Sequence, residues 1–195
     1  MVTVRQATAD DIPALSQALA DAFHDDPVMC WLVPEGARLQ RFFAAELRHV
    51  YLPKGLTYTS DERAGGALWA PPRRWKSSFG EIVRSAPSLL PVMGRRMVRG
   101  LRALGAVEKV HPEEPHYYLG TLGTATAHQG KGVGAALLAP VLERCDAEGV
   151  PAYLESSKEE NIPFYRRYGF EVTGTVDFPG GGPRVWPMWR DPQPA

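Results

Sequence analysis

The chain has 195 residues, of which 44% are hydrophobic and 23% are charged, and its 22 basic and 22 acidic residues give a formal net charge of zero. Such a composition excludes wholesale disorder, and the zero balance argues against a general nucleic-acid binder, which needs a large cationic surplus. The sequence contains neither a run of about 18 apolar residues nor an apolar signal core, so we expect a cytoplasmic protein without a membrane partner. The two cysteines, Cys30 and Cys145, are predicted to be free, buried thiols.

The first 70 residues are predicted to form a strand, two amphipathic helices and a hairpin. These elements occupy, in chain order, residues 2–8, 12–23, 37–52 and 56–70. Alternating apolar and polar residues indicate the strand, and helical spacing after a capping Asp10 or Asp11 indicates the first helix. The run Asp25-Asp26-Pro27 is predicted to end that helix.

The middle segment is predicted to be helical and basic. Residues 77–107 read as helices with breaks at Pro87 and Pro91, because proline lacks the N–H that a helix interior uses. Residues 73–109 hold nine basic and two acidic residues, a balance of +7 that the rest of the chain cancels with −7. Two interpretations stay open. The segment is either a solvated basic helix, or a lid whose arginines meet solvent, an acidic partner or a phosphate of a bound cofactor. These arginines are Arg95, Arg96, Arg99 and Arg102.

The last 80 residues are predicted to alternate strands and helices. The predicted strands cover residues 116–124, 151–156, 170–178 and 184–189, and the predicted helices end near residues 149 and 168.

A glycine-rich loop, Gln129-Gly130-Lys131-Gly132-Val133-Gly134, lies between a predicted strand and a predicted helix. Backbone N–H groups and the helix dipole favour an anion at such a place, although glycines also serve turning alone. A P-loop does not fit, because Ala125 stands at its first glycine and Gly132 replaces its hydroxyl residue. The dinucleotide fingerprint fits Gly130, Gly132 and Ala135, but too few strand–helix units follow for that fold.

The same loop also matches [QR]-x-x-G-x-[GA], and a second motif follows at residues 161–170, Asn161-Ile162-Pro163-Phe164-Tyr165-Arg166-Arg167-Tyr168-Gly169-Phe170. In this order the two motifs resemble the GNAT acetyltransferase superfamily, and residues 114–189 are similar to its puromycin N-acetyltransferase branch. The resemblance implies an α/β fold, with a twisted mixed sheet, helices on both faces and two splayed central parallel strands. It also implies a single domain over residues 1–195, with an acceptor-side half at 1–112 and an acetyl-CoA-binding half at 113–195.

By this resemblance acetyl-CoA lies between the two central strands. The backbone of Leu122, Gly123 and Thr124 is expected to hold the pantetheine and the acetyl carbonyl, and the amides of residues 129–134 to hold the pyrophosphate. Asn161 and Phe164 are expected on the other side of the pantetheine arm.

The implied reaction is acetyl transfer to the primary amine of a small molecule, by direct attack in a ternary complex. An alkylammonium must lose a proton before it attacks, and Glu155 is expected to take it, directly or through water. Tyr165 is expected to donate a proton to the CoA thiolate, because a phenol stays protonated at neutral pH. Each residue has a plainer alternative: a carboxylate that only hydrogen-bonds backbone or Ser156, and an aromatic side chain packed under the sheet.

The acceptor is less defined than the cofactor. Candidate pocket residues are Asp25, Asp26, Trp31 and Tyr118; the acidic pair either attracts a cationic amine or is a solvated helix end, and the aromatic residues either line the pocket or belong to the core. No set of side chains at metal-ligand spacing accompanies His116 or His128, so no metal is expected. An antibiotic or an aminonucleoside is among the possible acceptors, and monomer and homodimer both stay open. Two alternative functions remain, a CoA-binding regulatory module without turnover and a dinucleotide-linked oxidoreductase.

Overall fold

A computed structural model describes residues 2–33 and 38–193. Its eight strands are β1 (Val4–Gln6), β2 (Thr57–Ser60), β3 (Gly65–Ala70), β4 (Tyr117–Thr124), β5 (Ala152–Ser156), β6 (Glu171–Val172), β7 (Val176–Asp177) and β8 (Arg184–Arg190). Seven strands lie side by side in the order β1-β2-β3-β4-β5-β8-β6, and β7 pairs with β8. Among the described strands β4 and β5 form the parallel pair, and the other pairings are antiparallel. This open mixed sheet confirms the predicted fold class.

Helices cover both faces of the sheet. The described α-helices are α1 (Ile12–Ala22), α2 (Pro27–Leu32), α3 (Arg38–Glu46), α4 (Phe79–Met93), α5 (Met97–Glu108), α6 (Val133–Glu148) and α7 (Ile162–Arg166). On β3, Ala67 and Trp69 pack in one buried cluster with α6, whereas Leu68 packs in another with α1 and α3. Successive strand residues point to opposite faces, so α6 lies on one side of the sheet and α1 and α3 on the other.

Two glycines let α1 approach the sheet closely. A Cβ atom at Gly66 would lie 2.8 Å from the side chain of Leu15, and one at Gly123 would lie 2.7 Å from the ring of Phe23. Real Cβ atoms do not come this close to a neighbour, so a larger residue at either position would push the side chain of Leu15 or Phe23 aside. The close approach brings the chain that follows α1 next to the C-terminal end of β4.

The two parallel strands separate in their C-terminal halves. Their register runs from Tyr117 opposite Ala152 to Leu119 opposite Leu154, and no further. Beyond that point β5 stays paired with β8, and β4 stays paired with β3. The sheet therefore opens between β4 and β5, as the predicted splay requires.

The predicted helix at residues 37–52 is shorter and irregular. Helix α3 ends at Glu46, a π-helical turn follows at Leu47–Tyr51, and a 3-10 turn follows at Leu52–Lys54. Pro53, within that last turn, cannot donate to an α-helical ladder, which explains the change of geometry. Residue 37 lies outside the described residues.

The predicted helix breaks at Pro87 and Pro91 are wrong, because α4 runs through both. A capping box of Ser78 and Glu81 starts the helix, and its last turn is buried against Leu39 and Phe42 of α3. These contacts offset the hydrogen bonds that the prolines remove. The break comes instead at Gly94, whose φ is 54°.

Two smaller expectations are also wrong. The closing strand at residues 170–178 is divided into β6 and β7, because regular pairing with β8 is interrupted after Thr173, whose N–H still donates to the carbonyl oxygen of Pro187. Cys145 is a buried free thiol as predicted, but Cys30 is exposed.

Candidate active site

A cleft of about 680 Å³ opens where β4 and β5 separate. The ends of these strands, the chain between α1 and α2, the start of α6 and the helix α7 form its walls. The predicted site residues that line it are Asp25, Asp26, Tyr118, Leu122, Gly123, Thr124, Gln129, Gly130, Gly132, Val133, Gly134, Glu155, Asn161, Phe164 and Tyr165. The structure thus brings most of the candidate residues into one space.

Lys131 and Trp31 do not line this cleft. The ammonium group of Lys131 is exposed and donates to the carbonyl oxygen of Ala127 at 2.7 Å. The ring of Trp31 packs 5.9 Å from that of Phe178, with the guanidinium of Arg99 5.7 Å from its centroid. Trp31 thus packs between α5 and the segment after β7, beside Phe178, which does line the cleft, and its place in an acceptor pocket stays a prediction.

The end of β4 leaves backbone groups unpaired at the cleft. One edge of Gly123 and Thr124 pairs with β3, but on the other edge the pairing with β5 has already ended. An extended ligand that carries amide groups fits such an edge in the manner of an added strand. Gln129 closes this row, because its side-chain amide donates to the carbonyl oxygen of Thr124 at 3.1 Å.

The glycine loop presents free amides at the start of α6. Gly130 and Gly132 have φ angles of 73° and 81°, and a Cβ at either would meet nothing within 4 Å, so the space above the loop is open. No backbone N–H from Gly130 to Ala135 makes a hydrogen bond of good geometry with the described residues. These donors, with the positive end of a 16-residue helix, fit a pyrophosphate.

Helix α7 forms the wall opposite the loop. A Cβ at Gly134 would lie 3.4 Å from the ring of Phe164, so the helix and the loop are in close contact. Asn161 is exposed just before the helix. The side chain of Tyr165 is buried, and burial together with the negative charge of Asp26 raises its pKa, so the phenol stays protonated at neutral pH.

Glu155 is a nearly buried carboxylate with one free oxygen. Its side chain is 9% exposed, and its Oε2 accepts a hydrogen bond from the hydroxyl of Tyr118 at 2.8 Å. Its buried Oε1 has no hydrogen-bond partner among the described residues. The hydroxyl of Ser156 donates instead to the carbonyl oxygen of Lys158, so the plainer alternative of a bond to Ser156 does not apply.

The acidic pair after α1 is already engaged within the protein. Oδ1 of Asp26 caps α2 by accepting from the N–H groups of Val28 and Met29, both at 2.9 Å, and Oδ2 accepts from the hydroxyl of Ser157. Burial raises the pKa of Asp26. The ammonium of Lys158 lies 2.6 Å from Oδ1 of Asp25 and lowers the pKa of that carboxyl. The pair therefore ties the chain between α1 and α2 to the end of β5.

A family model of the acetyltransferase (GNAT) family matches residues 16–170. The chain belongs to this family. This GNAT acetyltransferase is 26% identical over 191 residues to an uncharacterised N-acetyltransferase of Schizosaccharomyces pombe, and the match covers 87% of the chain and 74% of the yeast protein.

Solved structures agree with the family. A Corynebacterium glutamicum protein named histone acetyltransferase HPA2 and related acetyltransferase matches with a TM-score of 0.76 and 27% identity, over 100% of this chain and 98% of the other. A Drosophila melanogaster polyamine N-acetyltransferase, which forms N-acetylagmatine, shares the fold with a TM-score of 0.66 and 15% identity, over 98% of this chain and 100% of that one.

The family and the topology together overturn the dinucleotide alternative. After β5 this GNAT acetyltransferase continues with a short helix and antiparallel strands, where a dinucleotide fold needs further parallel units. The enzyme is an acyltransferase, and its family uses acetyl-CoA.

Within residues 2–33 and 38–193, no three His, Cys, Asp or Glu side chains are grouped so that they could hold a metal ion. The helices there are all too short or too polar to cross a membrane.

Proposed function

We propose that this GNAT N-acetyltransferase transfers the acetyl group of acetyl-CoA to the primary amine of a small molecule with a largely apolar body. One observation carries the proposal. The unpartnered amides of Gly130, Gly132, Val133 and Gly134, the unpaired edge of β4 and the side chains of Glu155 and Tyr165 all border a single cleft.

Each wall of the cleft has a part in holding acetyl-CoA. The loop amides bind its pyrophosphate, and the edge of Leu122–Thr124 binds the amides of its pantetheine arm. Asn161 and Phe164 flank the arm from α7. Acetyl-CoA supplies the activated acetyl group as a thioester.

The reaction then needs a group that takes a proton from the amine and a group that stabilises the departing sulfur. Glu155 removes a proton from the ammonium group of the acceptor, which frees the lone pair that attacks the thioester carbonyl. Tyr165 donates a hydrogen bond to the departing sulfur. The balance is ammonium plus thioester giving amide, thiol and one proton.

The lining of the cleft supports an amine on an apolar body over a polyamine. Several residues that line the cleft are apolar, among them Phe23, Met29, Val107, Phe178 and Val185. A polyamine needs several free carboxylates, whereas those of Asp25 and Asp26 are held by Lys158, Ser157 and the start of α2. The resemblance of residues 114–189 to puromycin N-acetyltransferases also favours an aminonucleoside, and with it an antibiotic acceptor.

The experiment measures CoA thiol release from acetyl-CoA with puromycin, an arylalkylamine and spermidine, after a thermal-shift comparison of acetyl-CoA with NADH. We expect acetyl-CoA to raise the melting temperature, NADH to leave it unchanged, and the aromatic amines to exceed spermidine in kcat/KM. Stabilisation without amine-dependent thiol release would contradict an enzyme and support a regulatory module. Faster turnover of spermidine would contradict the apolar acceptor.

A further inference from the structure

Two buried histidines that do not line the cleft stand in a row with Glu155. His111 follows α5 and His116 precedes β4, and both are buried. Nδ1 of His111 lies 3.5 Å from Oε1 of Glu155, and Nε2 of His111 lies 3.0 Å from Nε2 of His116. Nδ1 of His116 lies 2.6 Å from the carbonyl oxygen of Glu114. A continuous row of polar atoms therefore runs from Glu155 into the protein.

The end of the row determines where its hydrogens are. A carbonyl oxygen only accepts, so Nδ1 of His116 donates to Glu114. A neutral His116 then has a lone pair at Nε2, and Nε2 of His111 donates to it. A neutral His111 consequently turns a lone pair at Nδ1 toward Oε1 of Glu155. Nδ1 of His111 and Oε1 of Glu155 are both buried, and neither has a hydrogen-bond partner among the described residues.

We propose that Glu155, His111 and His116 form one acid–base unit, in which the proton that Glu155 takes from the acceptor amine is shared between Oε1 and Nδ1 of His111. His111 is the positioning residue of the unit, and His116 orients it. Without that proton, a carboxylate oxygen and a lone pair repel each other at 3.5 Å. A proton placed between the two atoms replaces this repulsion with a hydrogen bond. This inference rests on the proposed function, because it assigns Glu155 the amine proton.

The proton count of the unit matches the reaction. The N–H bond of the ammonium breaks, its electron pair stays on nitrogen, and its proton joins the unit. As the C–N bond forms and the C–S bond breaks, a second amine proton ends on the CoA sulfur. The unit then returns its own proton to water when the products leave, so no electrons are gained or lost.

The other ionisable groups around the unit are mainly tyrosines. Tyr118 comes from β4, Tyr153 from β5 with its ring 4.7 Å from that of His111, and Tyr51 from the turn after α3. Burial and the charge of Glu155 raise the pKa of all three, so they stay neutral near pH 7. Burial lowers the pKa of His116. Charged groups lie one side chain further away: Lys54 is 5.4 Å from the Tyr51 ring, Glu46 acts on Tyr51, and Lys76 is 5.1 Å from the ring of Trp75, which stacks on His111.

Two variants of His111 separate proton sharing from packing. In His111→Asn the side-chain amide can donate to Oε1 but cannot take a proton, and His111→Phe keeps the stack on Trp75, whose centroid lies 3.5 Å from the imidazole. His49→Asn is the matched control, because His49 hydrogen-bonds Ser88 and does not line the cleft.

The kinetic readout is kcat/KM for the amine between pH 5 and 9. Both His111 variants remove the atom that shares the proton with Glu155, so we expect the acidic limb to move to lower pH, with a plateau about tenfold lower. The KM for acetyl-CoA and the His49→Asn profile should match the wild type. If kcat/KM of both variants is lowered by the same factor at every pH, so that the pH dependence is that of the wild type, the proposal is overturned.

A second readout needs no substrate. In ¹⁵N-histidine NMR of the full chain, we expect Glu155→Gln to lower the pH at which the His111 nitrogens change their shift, because the carboxylate no longer shares the proton. An unchanged transition would overturn the unit even if amines are acetylated. A lowered transition without any amine turnover would instead contradict the proposed function alone.

Discussion

Tyr165 meets two requirements for a group that stabilises a departing thiolate. It lines the cleft, and burial together with the charge of Asp26 raises its pKa. The raised pKa keeps the hydroxyl protonated, and it also makes complete proton transfer to sulfur less favourable. In the proposed mechanism Tyr165 therefore acts by donating a hydrogen bond to the sulfur.

Tyr165→Phe removes this donor and keeps the ring, which packs 5.3 Å from Phe164 and 6.0 Å from Phe170. We expect kcat to fall about 100-fold, with the KM for acetyl-CoA within about twofold of the wild type. Steady-state thiol release measures both constants. Tyr168→Phe is the control, because Tyr168 packs on Phe164 but does not line the cleft. An unchanged kcat in Tyr165→Phe would remove Tyr165 from the chemistry.

The sequence makes some site residues predictable and hides others. The motif spacing indicates Glu155 and Tyr165, because each stands at a fixed place relative to a strand end or a helix. His111 has no such signal, since only the fold brings it to Glu155. The pairing of Lys158 with Asp25 has no such signal either, because the two residues are far apart in the sequence.

At the scale of elements, α6 has a left-handed glycine at each end. Gly132 begins it with a φ of 81° and Gly149 ends it with a φ of 65°, and a Cβ at either would meet nothing within 4 Å. Replacing either glycine by valine therefore costs a similar backbone strain, about 1–2 kcal/mol.

Because only Gly132 belongs to the phosphate loop, we expect Gly132→Val to raise the KM for acetyl-CoA at least about tenfold, and Gly149→Val to leave it unchanged. Titration calorimetry with CoA checks the same difference without turnover. Equal effects of the two variants would show that strain in α6, and not the loop, controls binding.

Asp11 joins the first strand, the first helix and the hairpin. Its buried carboxylate accepts two hydrogen bonds from Arg5, both at 2.8 Å, one from Arg63 at 2.7 Å and one from the N–H of Thr8 at 2.9 Å. The hydrogen bonds from Arg5 are the main cause of the lowered pKa of Asp11.

Asp11→Asn is expected to lower the free energy of unfolding by about 2 kcal/mol at pH 7. Since the folded pKa lies below the unfolded value of about 3.9, this contribution is complete above that pH and is lost as the pH falls. Urea unfolding at pH 7 and pH 3 measures the loss of unfolding free energy and its dependence on pH. Asp61→Asn is the control, because Asp61 makes a single ion pair to Arg5 at 3.6 Å. A difference at pH 3 that is as large as the difference at pH 7 would contradict the ionic origin.

Element boundaries were predictable where local and tertiary forces agree. Helix α6 follows its apolar spacing, and its ends coincide with glycines. Helix α2 escapes prediction because Asp26-Pro27 looks like the end of α1, yet it also starts a helix, with aspartate as the cap and proline in the first turn. In α4 the contacts with α3 override the local signal of two prolines.

Across the whole molecule, the zero net charge hides a segregated basic segment, residues 73–109. Two of its arginines are engaged, because Arg96 donates to the carbonyl oxygen of Cys30 at 3.0 Å and Arg99 to that of Trp31 at 3.4 Å. Both carbonyls lie in the last turn of α2, where cations stabilise a helix. Arg95 and Arg102 are exposed, and neither lines the cleft.

Reversing the charges of Arg95 and Arg102 to glutamate is therefore expected to change neither kcat nor the KM for acetyl-CoA by more than about twofold. Replacing Arg96 and Arg99 by alanine is expected to lower the free energy of unfolding by about 1 kcal/mol. Steady-state kinetics and urea unfolding of both double variants test whether Arg95 and Arg102 are dispensable and whether Arg96 and Arg99 stabilise the fold. A raised KM for acetyl-CoA in the Arg95 and Arg102 variant would place those arginines at the cofactor.

The central claim is that Glu155 takes the amine proton in the cleft between β4 and β5. Its most direct test compares the wild type with Glu155→Gln for CoA thiol released and amine acetylated, at saturating acetyl-CoA. We predict one thiol per acetylated amine in the wild type, and a rate about 100-fold lower in the variant at an unchanged affinity for acetyl-CoA. Equal rates in the two proteins, or a thiol release that does not depend on the amine, would contradict the account.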